Sequence, residues 1–150
     1  MTVPLSLLDR LLAEDGEEDL PPGPAEIHGS IRTHLDALFN TRRPWRPLPP
    51  ERETLAATLR GYGLPDFTAT LFDLQEQREA LLRGIAEAVA LFEPRLEAVR
   101  LTLQPDGGDG EVLIRLAVSA RLTGGDGAPA VFEAVIDSAT TDMLVTSRDE

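Results

Sequence analysis

At 150 residues with no cysteine, the chain has the size of one domain that buries its own core without disulfides or a zinc-thiolate site, and a reducing compartment fits it. Its 26 acidic against 14 basic residues give a formal charge of −12, which opposes nucleic acid as a partner. No segment approaches about 18 consecutive apolar residues and no basic-then-apolar leader opens the sequence, so neither membrane insertion nor export is indicated and a cytoplasmic protein is expected.

Leu5, Leu8 and Leu12 share one helical face, joined by Leu7 and Leu11, and Ser6 with Asp9 has the spacing of a capping box. A helix this short is marginal in water, so its leucines need a surface, in this chain or in another. Five acids between Glu14 and Asp19 and the Pro21-Pro22-Gly23-Pro24 stretch then predict a tethered arm over residues 1–24, followed by a single domain over 25–150.

Ile27, Ile31, Leu35 and Leu38 recur at helical spacing and predict a helix from Ala25 to Phe39 that stops at Asn40. Thr41 to Pro50 carries Arg42, Arg43 and Arg46 around Trp45 among four prolines, which excludes regular structure. Trp and Arg are frequent hot spots of protein interfaces, so this loop is a candidate protein contact rather than an anion site. Glu51 to Arg60 reads as a short helix closed by Gly61, and Tyr62 to Phe67 as a turn in which Asp66 can cap a further short helix. The longest helix is predicted over Gln75 to Phe92, where Leu81, Ile85, Val89 and Phe92 form the stripe that should be the spine of the core.

Pro94 ends that helix, because it lacks an amide donor and pushes Glu93 out of helical geometry. Glu93 and Arg95 then stand as opposite charges on a sharp bend, able to pair with each other or to reach separate partners. On chemistry alone the bend reads as a solvated helix end.

After the bend the period changes to two. Val99, Leu101 and Leu103 alternate with Arg100, Thr102 and Gln104, and Val112 to Leu122 alternates with Arg115, Ser119 and Arg121. Phe132, Ala134 and Ile136 mark a third strand and Met143 to Thr146 a short fourth, with hairpin connections at Asp106–Gly110 and Gly124–Gly127. Helices first and hairpins after them predict an α+β fold, with N-terminal helices on one face of a 3–4 stranded antiparallel sheet and two open edges.

Catalytic and metal chemistry find little support. The two Gly-Gly-Asp-Gly segments lack the aspartate that calcium-binding nonapeptides place two residues after the third glycine; Val112 and Pro129 stand there. His28 and His34 lie six residues apart, not at chelating spacing, and His34 flanks the apolar face where a bond to backbone or water is expected. No Gly-x-Ser-x-Gly elbow is present. Glu76, Glu79, Glu87 and Glu93 supply carboxylates for glycoside hydrolysis, but one Trp and one Tyr offer no sugar-stacking platform. No catalytic, cofactor-binding or metal-binding residue is therefore expected.

Ser6-Leu7-Leu8-Asp9-Arg10-Leu11, Ser30-Ile31 through Leu35, Leu38-Phe39-Asn40-Thr41-Arg42, Tyr62-Gly63-Leu64-Pro65-Asp66-Phe67 and Phe92-Glu93-Pro94-Arg95-Leu96 together resemble the TssE family. TssE is the small baseplate wedge component of type VI secretion machines and is similar to a wedge protein of contractile phage tails once considered lysozyme-like. The Glu-Pro-Arg corner is the most specific part of the likeness. The resemblance implies a structural protein, with no reaction, no cofactor and no small-molecule ligand, that joins TssF, TssG and TssK around the hub and starts the sheath of TssB and TssC. It implies a baseplate position near the inner membrane and a fold similar to the sheath's interlocking domain, whose neighbours complete one another's sheets.

On this likeness Glu93, Pro94 and Arg95, with Arg42, Arg43, Trp45, Leu8 and Leu12, are the expected partner-binding residues, and charge reversal at Arg95 should leave the domain folded but undocked. The strand Val131–Asp137 or Met143–Thr146 is expected to accept sheath segments on its edge. One departure is Asp137–Asp142, which stands where a tighter glycine turn is expected and suggests a frayed last strand. A phage-derived contractile injector is the near alternative; a peptidoglycan-cleaving glycosidase and a regulatory binding module are the more distant ones.

Overall fold

The computed structural model describes residues 6, 9, 11, 22–44, 50–67, 74–108, 111–123, 129–137 and 142–147. Helix α1 spans Pro24–Phe39, a 3-10 helix Pro50–Ala57, and helix α2 Gln75–Phe92. Strands β1 (Leu96–Gly108), β2 (Glu111–Leu122), β3 (Pro129–Asp137) and β4 (Met143–Ser147) form one antiparallel sheet in the order β1-β2-β3-β4. The α+β reading holds.

α1 starts where Pro24 occupies the first helical turn, a position whose amide would lack a partner anyway, and the Gly23 N–H donates to the Glu26 carboxylate at 2.7 Å. Ile27, Ile31, Leu35 and Leu38 are buried with Phe39. Leu81, Ile85 and Val89 of α2 are buried as their spacing predicts, whereas Phe92 is half-buried and meets the Tyr62 ring edge-on at 5.1 Å. α1 lies against β4 and α2 against β1. Leu116, Val118, Ala120, Phe132, Ala134, Ile136, Met143 and Val145 close the core from the sheet side. Arg100, Thr102, Ser119, Arg121 and Leu144 lie exposed on the other face.

Two sequence expectations change. The β1–β2 ladder continues through Gly107 opposite Val112 to Gly108 opposite Glu111, so Asp106 to Gly108 belongs to the strand and the connection shortens to residues 109–110. The 51–60 segment winds as a 3-10 helix that ends at Ala57, before the Gly61 N–H bonds the Thr58 carbonyl at 2.9 Å. The helix expected near Phe67 falls on residues 68–73, outside the described ones.

The sheet edges also differ from expectation. β3 is interior, pairing β2 along its length and β4 over Phe132–Ile136, so the Val131–Asp137 strand has no free edge there. β4 is an edge strand, and three of its outward groups are taken. Asn40 donates through Nδ2 to the Met143 carbonyl at 2.7 Å and accepts the Met143 N–H at 2.9 Å, while Asp36 accepts the Val145 N–H at 3.3 Å. A helix stop and its preceding turn thus clamp the last strand, which is paired over five residues rather than frayed.

Candidate functional site

The Glu-Pro-Arg corner is inside the protein. Glu93 is 2% and Arg95 8% exposed, while Pro94 between them is exposed. Arg95 Nε donates to Glu93 Oε1 at 2.6 Å and Nη2 to Oε2 at 2.7 Å, the two-pronged arrangement that a planar guanidinium makes with a carboxylate. The expectation of a solvated helix end is overturned, because two residues separated by one proline turn back onto the same side of the bend. The corner's carbonyls are taken as well. Leu96 N–H bonds the Glu93 carbonyl at 3.1 Å, and Thr123 at the end of β2 donates its hydroxyl to the Pro94 carbonyl and its N–H to the Arg95 carbonyl.

The pair is extended by residues of α1. Arg95 Nη1 donates to Ser30 Oγ at 2.8 Å, and Nη2 lies 3.2 Å from His34 Nδ1, which is itself 3.4 Å from Glu93 Oε2. His34 therefore meets the ion pair through Nδ1. Ser30 donates its hydroxyl to the Asp9 carboxylate, and Asp9 also accepts from the Ser6 hydroxyl at 2.7 Å, while the Asp9 N–H donates to Ser6 Oγ at 3.0 Å. The capping spacing of Ser6 and Asp9 is used, and it links residues of the arm to the corner. Leu11 in the same segment is 74% exposed. Burial and the Glu93 charge raise the Tyr62 phenol above its ordinary range.

Burial alone would raise the Asp9 carboxyl, but the Ser30 and Ser6 hydrogen bonds and the charge on His34 outweigh it and hold Asp9 below its ordinary value. A folded-state value that is depressed stabilises the arm contact above the unfolded aspartate value, about 3.9, and loses that contribution as pH falls through the folded value. Titration of the Asp9 carboxyl carbon by NMR is expected to give a midpoint below that of an exposed aspartate. A midpoint at or above it would place Asp9 off Ser30.

The arginine loop splits. Arg42 turns inward, donating to the Phe39 carbonyl at 2.8 Å with its guanidinium 4.4 Å above the Phe67 ring. Its backbone forms a parallel bridge with Leu64, flanked by Arg43 N–H to the Leu64 carbonyl and Leu64 N–H to the Thr41 carbonyl. That close approach requires Gly63, whose φ is +105° and where a Cβ would stand 2.5 Å from the Thr41 carbonyl oxygen. Arg43 is exposed and lines an open groove of about 540 Å³ with Pro65, Phe67, Arg83, Gly84 and Glu87. Trp45, Leu8 and Leu12 lie outside the described residues.

Ser30, His34, Asp9 and Tyr62 were not predicted as site residues. The readable signal was Ser30, a polar residue between Ile27 and Ile31 on the apolar face of α1, because a buried hydroxyl requires a partner.

The family model for baseplate wedge protein gp25 matches residues 25–125, which run from α1 through the corner to the end of β2. Among curated proteins, none is similar enough to count as a match. Of solved structures, a chain of the baseplate complex from the type VI secretion system has a similar fold, with a TM-score of 0.50 and 20% identity over 83% of this chain and 93% of that one. With two thirds of its length matched, the chain belongs to the gp25 family of baseplate wedge proteins.

Proposed function

We propose that this chain is the TssE-type wedge component of a type VI secretion machine, joining TssF, TssG and TssK and starting the contractile sheath of TssB and TssC. The observation that carries the reading is the family match across residues 25–125, which includes the Glu93-Pro94-Arg95 corner. The likeness in fold to a chain of a type VI baseplate favours that machine over a phage-derived injector.

The bonding of Glu93 and the family match support a structural role. Both carboxylate oxygens of Glu93 are held by Arg95, so this carboxylate is engaged in an internal ion pair. Among the described residues no helix is long and apolar enough to cross a membrane, consistent with a place in a baseplate assembled beside one.

The candidate contacts divide by exposure. Pro94 and Arg43, both exposed, are assigned to direct contact with wedge partners, as are Trp45, Leu8 and Leu12 on the family likeness alone. Glu93, Arg95 and Arg42 hold the backbone that presents Pro94 and Arg43.

Co-purification of the full chain with the wedge and sheath proteins encoded beside it tests the reading. Wedge proteins should be retained, and cells lacking the chain should form no sheath. Sheaths forming at normal frequency without it would remove the nucleating role, and failure to retain any wedge protein would remove the wedge assignment.

A further inference from the structure

The helix-free face of the sheet breaks the alternation that the strands otherwise keep. α1 and α2 lie on one side, against β4 and β1, and side chains on the opposite side should be polar throughout if water alone met them. Toward β1 they are, since Arg100, Thr102, Ser119 and Arg121 are exposed there. Toward β4 they are not. Val131 and Val135 stand on this face on either side of Glu133, and Leu144, opposite Val135 in the ladder, is 67% exposed. The one charge inside this apolar strip is matched within it, because the Glu133 carboxylate accepts from Arg115 Nη1 at 2.9 Å.

The arginines at the margin of the strip are not matched. Among the described residues neither Arg100 nor Arg121 has an ion partner, and Glu97, opposite Arg121 in the ladder, makes no pair with it. These are two unpaired cations on neighbouring strands of a chain with 26 acidic and 14 basic residues. What can lie over them is limited by the main chain. In a sheet the N–H and C=O groups point along the plane to adjacent strands, so the face offers side chains only. An arriving segment must satisfy its own backbone, which an α-helix does. Val131 and Val135 are about 14 Å apart along β3, the length of two to three helical turns. A second copy of the chain fits this face less well. Two copies packed face to face would bring both pairs of arginines into one interface. The chain's own acidic leucine segment, residues 5–19, is engaged elsewhere, since its Asp9 accepts from Ser30 on α1.

We propose that the helix-free face of the sheet is a docking surface for an acidic amphipathic α-helix of a neighbouring wedge protein. The inference rests on the wedge reading above and names a surface through which that role is carried out. The helix lays its apolar side over Val131, Val135 and Leu144 and sets carboxylates beside Arg100 and Arg121. The sheet then lies between two helical layers, one from this chain and one from its neighbour.

Photo-cross-linking of the full chain, with benzoylphenylalanine in place of Leu144 and the wedge and sheath proteins encoded beside it co-expressed, tests the assignment. The cross-link should fall on one wedge protein, in a segment with apolar residues at helical spacing and Asp or Glu beside them. The double variant Arg100→Glu, Arg121→Glu should melt at an unchanged temperature, because both side chains are exposed. It should capture that wedge protein about tenfold or more weakly, with the loss greatest at low salt. A loss that is equal at all salt concentrations, or no loss, would overturn the charge pairing and with it the proposal. Cross-links to a second copy, to sheath protein alone or to nothing, while wedge proteins are still retained, would overturn the face assignment and leave the wedge reading standing. Failure of the unmodified chain to retain any wedge protein would overturn both.

Discussion

Replacing Arg95 with glutamate is expected to destabilise the isolated chain severely, not to leave its fold untouched and merely undocked. The substitution sets a second carboxylate against Glu93 in a site where the two native side chains are almost wholly buried, and it removes the donors that Ser30 and His34 face. Breaking one side of a buried pair typically costs about 3–5 kcal/mol, because the remaining charge is left without a partner. A domain of this size has a stability of about 5–15 kcal/mol, so the loss is a large fraction of the total. Arg95→Lys should fall between, keeping a charge but losing the fork that engages both oxygens of Glu93. Urea denaturation of the three proteins measures this directly. A midpoint for Arg95→Glu equal to that of the unmodified chain would mean that the pair is open to solvent. Loss of secretion in that variant would not by itself demonstrate a docking contact. The substitutions that do probe docking are on exposed neighbours, Pro94 and Arg43.

Where the chain bends was readable, and what the bend does was not. Pro94 alone dictates the end of α2, and alternation alone dictates β1 and β2, because both are local rules. The destination of the Arg95 guanidinium depends on Ser30, 65 residues earlier, and on an arm residue beyond it, and no local pattern encodes that distance. The sheet gives a parallel case. Asn40 has the composition of a helix stop, and it does end α1, but its amide also holds Met143, 103 residues away. That second role holds β4 in place where a frayed strand was expected. The interior position of β3 was available from chain order, since consecutive hairpins place a third strand inside once a fourth follows it. Two short Gly-Gly-Asp-Gly segments looked alike in sequence, yet the ladder runs into Gly107 and Gly108 because a hairpin of this length needs only two connecting residues.

Phe132→Ala is expected to be the most damaging single truncation in the sheet. The ring is fully buried, lies 6.1 Å from the His28 ring of α1, and sits on β3 opposite Val118 of β2. Truncating a buried phenylalanine costs about 3–5 kcal/mol, through lost transfer energy and the cavity left behind. Leu144→Ala on the helix-free face, where the side chain is 67% exposed, should stay within about 0.5 kcal/mol. Equal midpoints for the two variants in urea would mean that the helices do not cover the face assigned to them. The effect should also reach the border of the sheet. α1 both packs against this face and supplies the Asp36 and Asn40 groups that occupy the edge of β4. Loosening α1 withdraws those groups, so Phe132→Ala should acquire concentration-dependent self-association below its unfolding midpoint, visible by light scattering, while Leu144→Ala should not. A destabilised but strictly monomeric Phe132→Ala would separate the core from the edge clamp and show that Asn40 holds β4 independently of how tightly its helix is packed.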